Sequence, residues 1–437
     1  MEGNRRYGLF TAVAIITGVV IGSGIFFKSD NILALTGGSV LLGAAVFCLA
    51  AVSIIFGSLS IARLAALSDK DGGVISYAEE WYGMGTACVF GWFHTFLYYP
   101  SLIAVVASAA GYYLQSLLGW AHTPESELLL ALGIVGAALL LNFFSPLLGG
   151  IFQNVSTVVK LAPLLFIGVA GLVMGDPLAV LAPGTPAPPV AGAGWLGAVA
   201  PVAFSFDGWI VATSLCHEIK DSRRTLPLAL AAAPLVILLA YLFYFVGICT
   251  LVGPDVILEM GDAHVGYAAR LLLGPRGGRF LLSLVLISVL GTVNGLTMGM
   301  LRLPRALAAR NMLPASPALA RESQHTSVSP ACGLTAAMAC ALWLALHYLT
   351  GKFAPLSHSD VSEAAIVVNY GGYILLYAAA IRATRRPLVP VLAMAGSVII
   401  LLGGAQSPLF GWYLLICLLL GVCAFLYYRA HRGQIHP

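Results

Sequence analysis

Two stretches of this sequence combine glycine with residues that suit a binding site better than a regular helix. Residues 18–24 read GVVIGSG, so three glycines fall within seven positions, and each weakens a helix by about 1 kcal/mol relative to alanine. Residues 204–209 read FSFDGW and place an acid and a glycine inside an apolar segment. Both stretches predict a helix that is interrupted near its middle.

Interrupted helices expose backbone groups that can bind a ligand. Amide N–H groups at the start of the second half of a broken helix form a positive dipole end that suits a carboxylate, and the Ser23 and Gly24 amides with the Ser23 hydroxyl are the natural cradle. Carbonyls left without partners before each break suit an ammonium group. The two ends together match an α-amino acid. The predicted substrate-binding residues are Thr17, Gly18, Val20, Gly22, Ser23, Gly24, Ile25, Phe204, Ser205 and Asp207.

Two charged residues lie inside apolar segments. A lysine at the bilayer centre costs a few kcal/mol, about 3 on insertion scales, which makes Lys160 a functional candidate, although its long stem also allows snorkelling to an interface. Asp207 is either a paired or protonated acid that holds the second break, or a proton-coupling group. His94 and His347 also lie in apolar segments, where we expect packed or hydrogen-bonded roles.

The composition indicates which environment surrounds the folded chain. Of the 437 residues, 59% are apolar and 9% are charged, and the mean hydropathy is +0.93. A soluble domain carries about 25% charged residues, so the chain is predicted to lie mostly in lipid. Its charge of +4 is scattered, which makes nucleic acid an improbable partner. The eight cysteines lack paired or metal-ligand spacing, so we expect no disulfide framework, metal site or cofactor.

The apolar segments are long enough to be membrane-spanning helices. Twelve runs are predicted, at 8–34, 39–67, 85–118, 127–145, 150–174, 195–215, 227–252, 277–302, 331–350, 361–381, 388–405 and 408–428. With the N-terminus inside, sixteen of the 22 Lys and Arg residues fall on the cytoplasmic side and five, including Lys28, outside, with Lys160 within a span. The positive-inside rule therefore predicts that both termini are cytoplasmic.

The two interrupted helices are the first and sixth runs, five runs apart. Glycine-interrupted segments in corresponding positions of two halves are typical of inverted-repeat transporters whose binding site lies at the bilayer midplane. The alternative is that the glycines allow close helix packing. That alternative explains the first run alone better than it explains the matched pair.

Several segments resemble the amino acid–polyamine–organocation superfamily, and within it the L-amino-acid-transporter-like exchangers, in particular bacterial serine/threonine exchangers. The matching residues are 22–26 (GSGIF), 72–83, 153–161 (QNVSTVVKL), 204–209 followed by 218–220, and 304–314. The resemblance implies an all-α membrane fold of twelve helices with helices one and six unwound. It also implies two inverted five-helix repeats, at 8–175 and 195–381, and two additional helices at 388–428.

The resemblance also implies roles for individual residues. Phe204 matches the aromatic gate that closes over substrate in this family, although a packed or lipid-facing aromatic is the competing interpretation. Lys160 matches a lysine in the region where sodium-coupled relatives bind a cation. The resemblance implies that its ammonium links run five to the interrupted run one without an ion, so that transport is independent of sodium. Ser205 and Phe206 stand where many relatives have alanine and tyrosine; the Ser205 hydroxyl is available in principle to a polar substrate.

We therefore expect an amino acid exchanger of the cell membrane that acts by alternating access on small neutral L-amino acids such as serine, threonine and alanine. Proton-coupled symport is the alternative, with Lys160 or Asp207 titrating. A membrane-embedded enzyme is a remote third possibility, because no convergent catalytic constellation is visible. Some eukaryotic relatives pair with a glycoprotein through a cysteine in an outer loop. No cysteine here lies in a confidently outer loop, so we expect no disulfide-linked partner.

Overall fold

The computed structural model describes residues 8–22, 24–67, 73–182, 194–209, 222–321, 326, 328–353, 360–408 and 410–435. All regular secondary structure in these ranges is helical, which confirms the all-α prediction for them. Within the same ranges, nine helices are long and apolar enough to cross a membrane. Three shorter apolar helices lie at Leu9–Gly18, Gly194–Ser205 and Leu388–Gly404. Two of these fall on the first and sixth runs.

The helices are numbered in chain order. The first ten are α1 (Leu9–Val20), α2 (Gly24–Phe27), α3 (Ser29–Leu35), α4 (Val40–Ala65), α5 (Gly73–Tyr82), α6 (Met84–Phe93), α7 (Tyr99–Leu118), α8 (Pro124–Phe144), α9 (Pro146–Val159) and α10 (Leu161–Met174). The next ten are α11 (Pro177–Leu181), α12 (Val199–Ser205), α13 (Ser222–Val252), α14 (Pro254–Met260), α15 (His264–Ala308), α16 (Ser316–Leu319), α17 (Pro330–Phe353), α18 (Val361–Thr384), α19 (Leu388–Gly404) and α20 (Phe410–Ala430). A π-helical turn, His94–Tyr98, joins α6 to α7, and 3₁₀ turns precede α12 and α15.

The predicted interruption of run one is present, and α12 ends at the position where the interruption of run six is predicted; residues 210–221 lie outside the described residues. Helix α1 ends at Val20, where Ile21 adopts an extended conformation (φ −64°, ψ 96°), and helical structure resumes at Gly24. Helix α12 ends at Ser205, and a turn follows in which Gly208 has φ 100°. A left-handed residue at this point is favourable only for glycine, so the local sequence determines where run six stops.

The chain forms two compact units. The first comprises Met1–Tyr77, Leu161–Leu281 and Ile366–Phe410, and the second comprises Ala78–Lys160, Leu282–Ala365 and Gly411–Pro437. Each unit draws segments from both predicted repeats, so neither unit is a repeat. The division into repeats itself stays a prediction.

In the first unit, α13 packs against α1, α4 and α10. Glycines allow α10 and α13 to approach closely: a Cβ on Gly168 would lie 3.0 Å from the Phe243 carbonyl oxygen, and Gly171 packs directly on the backbone of Gly247. Small residues at helix crossings are the usual means by which membrane helices gain packing contacts. This close crossing fixes α13 behind the interrupted run one.

In the second unit, α7 packs against α8 and α17. Buried amides join α8, α9 and α15: Asn142 Nδ2 lies 2.8 Å from Asn294 Oδ1, and Asn294 Nδ2 lies 3.1 Å from Gln153 Oε1. Helix α15 contains 45 residues and is broken by Gly274 (φ 66°, ψ −174°). A straight helix of that length would be about 68 Å long, about twice the thickness of a bilayer core.

Candidate functional site

The two interrupted helices meet in the first unit. A Cβ built on Gly24 would lie 3.0 Å from Phe204 Cδ1 and 3.0 Å from Ser205 Cα. Gly24 and Ile25 are buried, as are Phe204 and Ser205. The start of α2 therefore lies directly against the last turn of α12, and the two predicted halves of the site are brought together.

Tyr241 joins the two interrupted helices. Its hydroxyl lies 2.6 Å from the Ser205 carbonyl oxygen and 3.2 Å from the Val20 carbonyl oxygen, so its single hydrogen is shared between the last residues of α12 and α1. The backbone of Gly22 is close to the same hydroxyl. Sequence reasoning missed Tyr241, because α13 also carries the hydroxyls of Tyr244 and Thr250 and nothing in the sequence distinguishes Tyr241 from them.

The carbonyls before the breaks already have hydrogen-bond donors, which corrects the prediction that they have none. The Thr17 carbonyl accepts from the Ile21 amide at 2.8 Å, and the Phe204 carbonyl accepts from the Asp207 amide at 3.0 Å. The Val20 and Ser205 carbonyls accept from Tyr241. Each carbonyl oxygen has two lone pairs, so an ammonium group has to use the second lone pair or replace the present donor.

Two hydroxyls near the breaks differ in availability. The Thr17 hydroxyl is buried and has no hydrogen-bond partner among the described residues, so it can take a polar ligand group. The Ser205 hydroxyl donates to the Pro201 carbonyl at 3.1 Å, so only its lone pairs are left for a polar substrate. Ser23, the third predicted hydroxyl, lies outside the described residues. Gly18 lies on the last turns of α1 and Gly22 at the bend that follows.

Phe204 is enclosed by residues of run one. Its ring centroid lies 5.7 Å from that of Phe27 in an edge arrangement, and the Lys28 ammonium lies 5.0 Å from the same centroid. Lys28 is fully buried, with 0% of its surface exposed. The sequence placed Lys28 among the residues on the outer side of the membrane; that assignment stays a prediction, and the burial of the side chain is a new observation.

Asp207 lies in the turn that ends α12. It interacts electrostatically with Tyr370 and Tyr373 of α18, and Tyr373 also packs against the Trp209 ring at 5.6 Å. The same turn carries Gly208. These contacts place the carboxyl among residues that surround the break.

Lys160 belongs to the second unit and separates α9 from α10. Its side chain is 3% exposed, and its amide donates to the Ser156 carbonyl at 3.0 Å. Its burial agrees with the sequence argument against a solvent-facing lysine; its predicted tie to run one stays a prediction. His94 is hydrogen-bonded, as expected, with Nδ1 2.8 Å from the Phe90 carbonyl oxygen.

Several other polar residues lie away from the two breaks. Glu79 forms a salt bridge of 2.9 Å with Arg310 within the second unit. His347 lies in α17. In the described part of the chain the cysteines are free thiols, and no three His, Cys, Asp or Glu side chains form a group that could hold a metal ion.

Comparison with known proteins identifies the kind of molecule. The sequence profile of the amino acid permease family matches residues 7–436. The serine/threonine exchanger of Bacillus subtilis is 28% identical over 416 residues, which cover 91% of this chain and 90% of the exchanger. The human cystine/glutamate transporter is 28% identical over 74% of this chain and 64% of its own length. An inner membrane transport protein of Escherichia coli, YbaT, is 28% identical over 63% of each protein.

The profile covers almost the entire chain, and the matched proteins are transporters, not enzymes. The apolar helices agree with a multi-pass membrane protein. The resemblance inferred from the sequence is therefore confirmed, and the chain belongs to the amino acid permease family.

Proposed function

We propose that the chain exchanges small neutral L-amino acids, such as serine, threonine and alanine, by alternating access and without sodium. The observation that carries this proposal is the contact between the two interrupted helices, where Gly24 lies against the backbone of Ser205 and Tyr241 joins the carbonyl ends. Acceptor and donor backbone ends next to each other suit a zwitterion. The similarity to a serine/threonine exchanger supports the substrate class.

In the proposed site the substrate carboxylate binds amides at the start of the segment 24–35. Hydrogen bonds from the Lys28 amide to the Gly24 carbonyl and from the Ile32 amide to the Lys28 carbonyl, both 3.0 Å, continue the helical pattern from α2 into α3. The segment therefore carries a larger dipole than one turn would. Ser23 and Ile25 complete this end of the proposed site.

The substrate ammonium binds the carbonyls of Val20 and Ser205, with Gly18 and the Thr17 hydroxyl beside them. Phe204 closes over the substrate as the gate. Asp207 holds the turn that ends α12, and its place in that turn, close enough to two tyrosines of α18 for an electrostatic interaction, supports this structural role. Lys160 stands in place of a coupling cation, and its burial supports a role inside the protein.

The proposed architecture has twelve spans in two inverted five-helix repeats plus two helices. Nine long and three shorter apolar helices in the described ranges support it. The excess of Lys and Arg in the loops assigned to the inside supports cytoplasmic termini in the cell membrane.

Reconstitution into liposomes tests the proposal. Labelled serine should enter vesicles loaded with unlabelled serine, alanine or threonine much faster than empty vesicles, with sodium or choline outside. Equal uptake into loaded and empty vesicles would reject exchange, and a sodium requirement would reject the role of Lys160. Absence of uptake for every amino acid would reject amino acid transport.

Proton-coupled symport is the second candidate, favoured by the burial of the Lys160 amine at 3% exposure. A pH gradient would then drive serine accumulation in empty vesicles, and Lys160→Ala would abolish it. If serine does not accumulate under the gradient, this candidate is rejected.

A further inference from the structure

A buried lysine lies against the proposed gate. Lys28 follows α2, and its ammonium is 5.0 Å from the Phe204 ring centroid and 5.7 Å from the Phe27 ring centroid. None of its surface is exposed. The chain thus keeps a full-length cationic side chain out of water at the point where run one meets α12.

The attraction between the Lys28 ammonium and the Phe204 ring depends on the orientation of the ring. A cation is attracted to the electron-rich face of an aromatic ring when it lies within about 6 Å of the centroid, and the attraction is stronger when the pair is desolvated. Phe27 contacts Phe204 at an interplanar angle of 67°, and Gly24 leaves room for the Phe204 ring edge. Of these three residues around the Phe204 ring, Lys28 alone supplies a charge, so its attraction favours one ring orientation over others.

We propose that Lys28 is a positioning residue for Phe204: its ammonium holds the ring in the orientation that closes the amino acid site. This inference rests on the proposed function. It assigns to Lys28 a role in substrate affinity that acts through the ring and not through contact with the substrate. Loss of the ammonium lets the ring leave the closed orientation, which raises KM and leaves the maximum rate of exchange unchanged or higher.

Four variants in the reconstituted full-length protein separate this role from a general packing role. Lys28→Met keeps the stem and removes the charge, and should raise KM for serine between about 2- and 30-fold, the range that corresponds to a cation–π contact. Lys28→Arg keeps a cation that can stack on the ring and should stay within about twofold of wild type. Phe204→Leu removes the ring face, and in that background Lys28→Met should have no further effect on KM.

Ring fluorination gives a readout that packing does not change. Fluorine withdraws electron density from the ring face while altering its size very little, so mono-, di- and trifluorinated phenylalanine at position 204 should raise KM stepwise. The series should be flat in the Lys28→Met background. Lys352→Met is the matched control, because Lys352 is an exposed lysine 5.3 Å from the Tyr348 ring in the second unit, and it should leave KM unchanged.

The outcomes distinguish the two proposals. Three results would overturn the role of Lys28 while exchange itself stands. These are a wild-type KM in folded Lys28→Met protein, an equally large effect of Lys28→Met on KM in the Phe204→Leu background, and a KM that does not respond to fluorination. Wild-type protein that transports no amino acid would overturn both. Thermal unfolding monitors folding of each variant, and Lys28→Gln replaces Lys28→Met in the cycle if the methionine variant does not fold.

Discussion

Replacing Tyr241 by phenylalanine removes the hydroxyl that joins α1 to α12 and keeps the ring. The ring contacts Phe206 and Phe47, with centroids 5.1 and 6.1 Å away, and the residue is fully buried. Packing is therefore retained, and the change is confined to the hydrogen bonds at 2.6 and 3.2 Å from the Ser205 and Val20 carbonyls.

The expected loss of stability follows from the two carbonyls that lose their hydrogen-bond donor. One hydroxyl hydrogen serves two buried carbonyls, and a buried polar group that loses its partner costs about 1–3 kcal/mol. We expect Tyr241→Phe to lower the free energy of unfolding by about 1–3 kcal/mol, seen as a lower thermal unfolding temperature in detergent. Added serine should stabilise the variant more than the wild type, because its ammonium donates to the freed carbonyls and binding stabilises the folded state by mass action.

Tyr244→Phe is the matched control on the same helix. In the described part of the chain the Tyr244 hydroxyl is buried without a hydrogen-bond partner, so its removal should be neutral or stabilising. A Tyr241→Phe protein that unfolds at the wild-type temperature would refute the bridging role. Serine stabilisation no larger than that of the wild type would refute the assignment of the ammonium to these carbonyls.

Three further predictions concern other parts of the molecule. Gly24→Ala should reduce the exchange rate more than about tenfold in folded protein, because the new Cβ meets the backbone of Ser205 at 3.0 Å and crowding of this kind costs about 1–3 kcal/mol. Gly133→Ala is the control: a Cβ there has no atom within 4 Å, and the exchange rate should stay at the wild-type value. Glu79→Gln should lower the free energy of unfolding by about 1–3 kcal/mol, the worth of a hydrogen bond to a charged group, because it removes the charge from the 2.9 Å pair with Arg310; an unchanged denaturation curve would contradict this. Replacing sodium by choline should leave the exchange rate unaltered, and a slower rate would show cation dependence.

Local sequence was sufficient to locate the break in run one and the end of α12, because glycine content and the acid at position 207 act over a few residues. The sequence could not reveal the partner of the carbonyl ends: Tyr241 lies 36 positions from Ser205 and 221 from Val20, and only the packing of α13 brings its hydroxyl there. The sequence could not reveal the contacts of Lys28 for a related reason. It places a lysine near the end of run one, but only the folded chain shows that its side chain packs against the Phe27 and Phe204 rings.

The Tyr241 hydroxyl also bears on how tightly the proposed exchange site can bind its substrate. The Val20 and Ser205 carbonyls already accept a hydrogen bond from Tyr241. The binding free energy of an ammonium group is therefore only the difference between its own charge-assisted hydrogen bond and the Tyr241 hydrogen bond that it displaces or shares. A net gain of this sort is smaller than the full worth of a new hydrogen bond to a buried acceptor without a partner. We infer that the bridge keeps affinity moderate, which alternating access requires, since a substrate held too tightly on one side of the membrane is released too slowly on the other. Tyr241→Phe should then lower the Kd for serine and slow its exchange together; a lower Kd with faster exchange would contradict this inference.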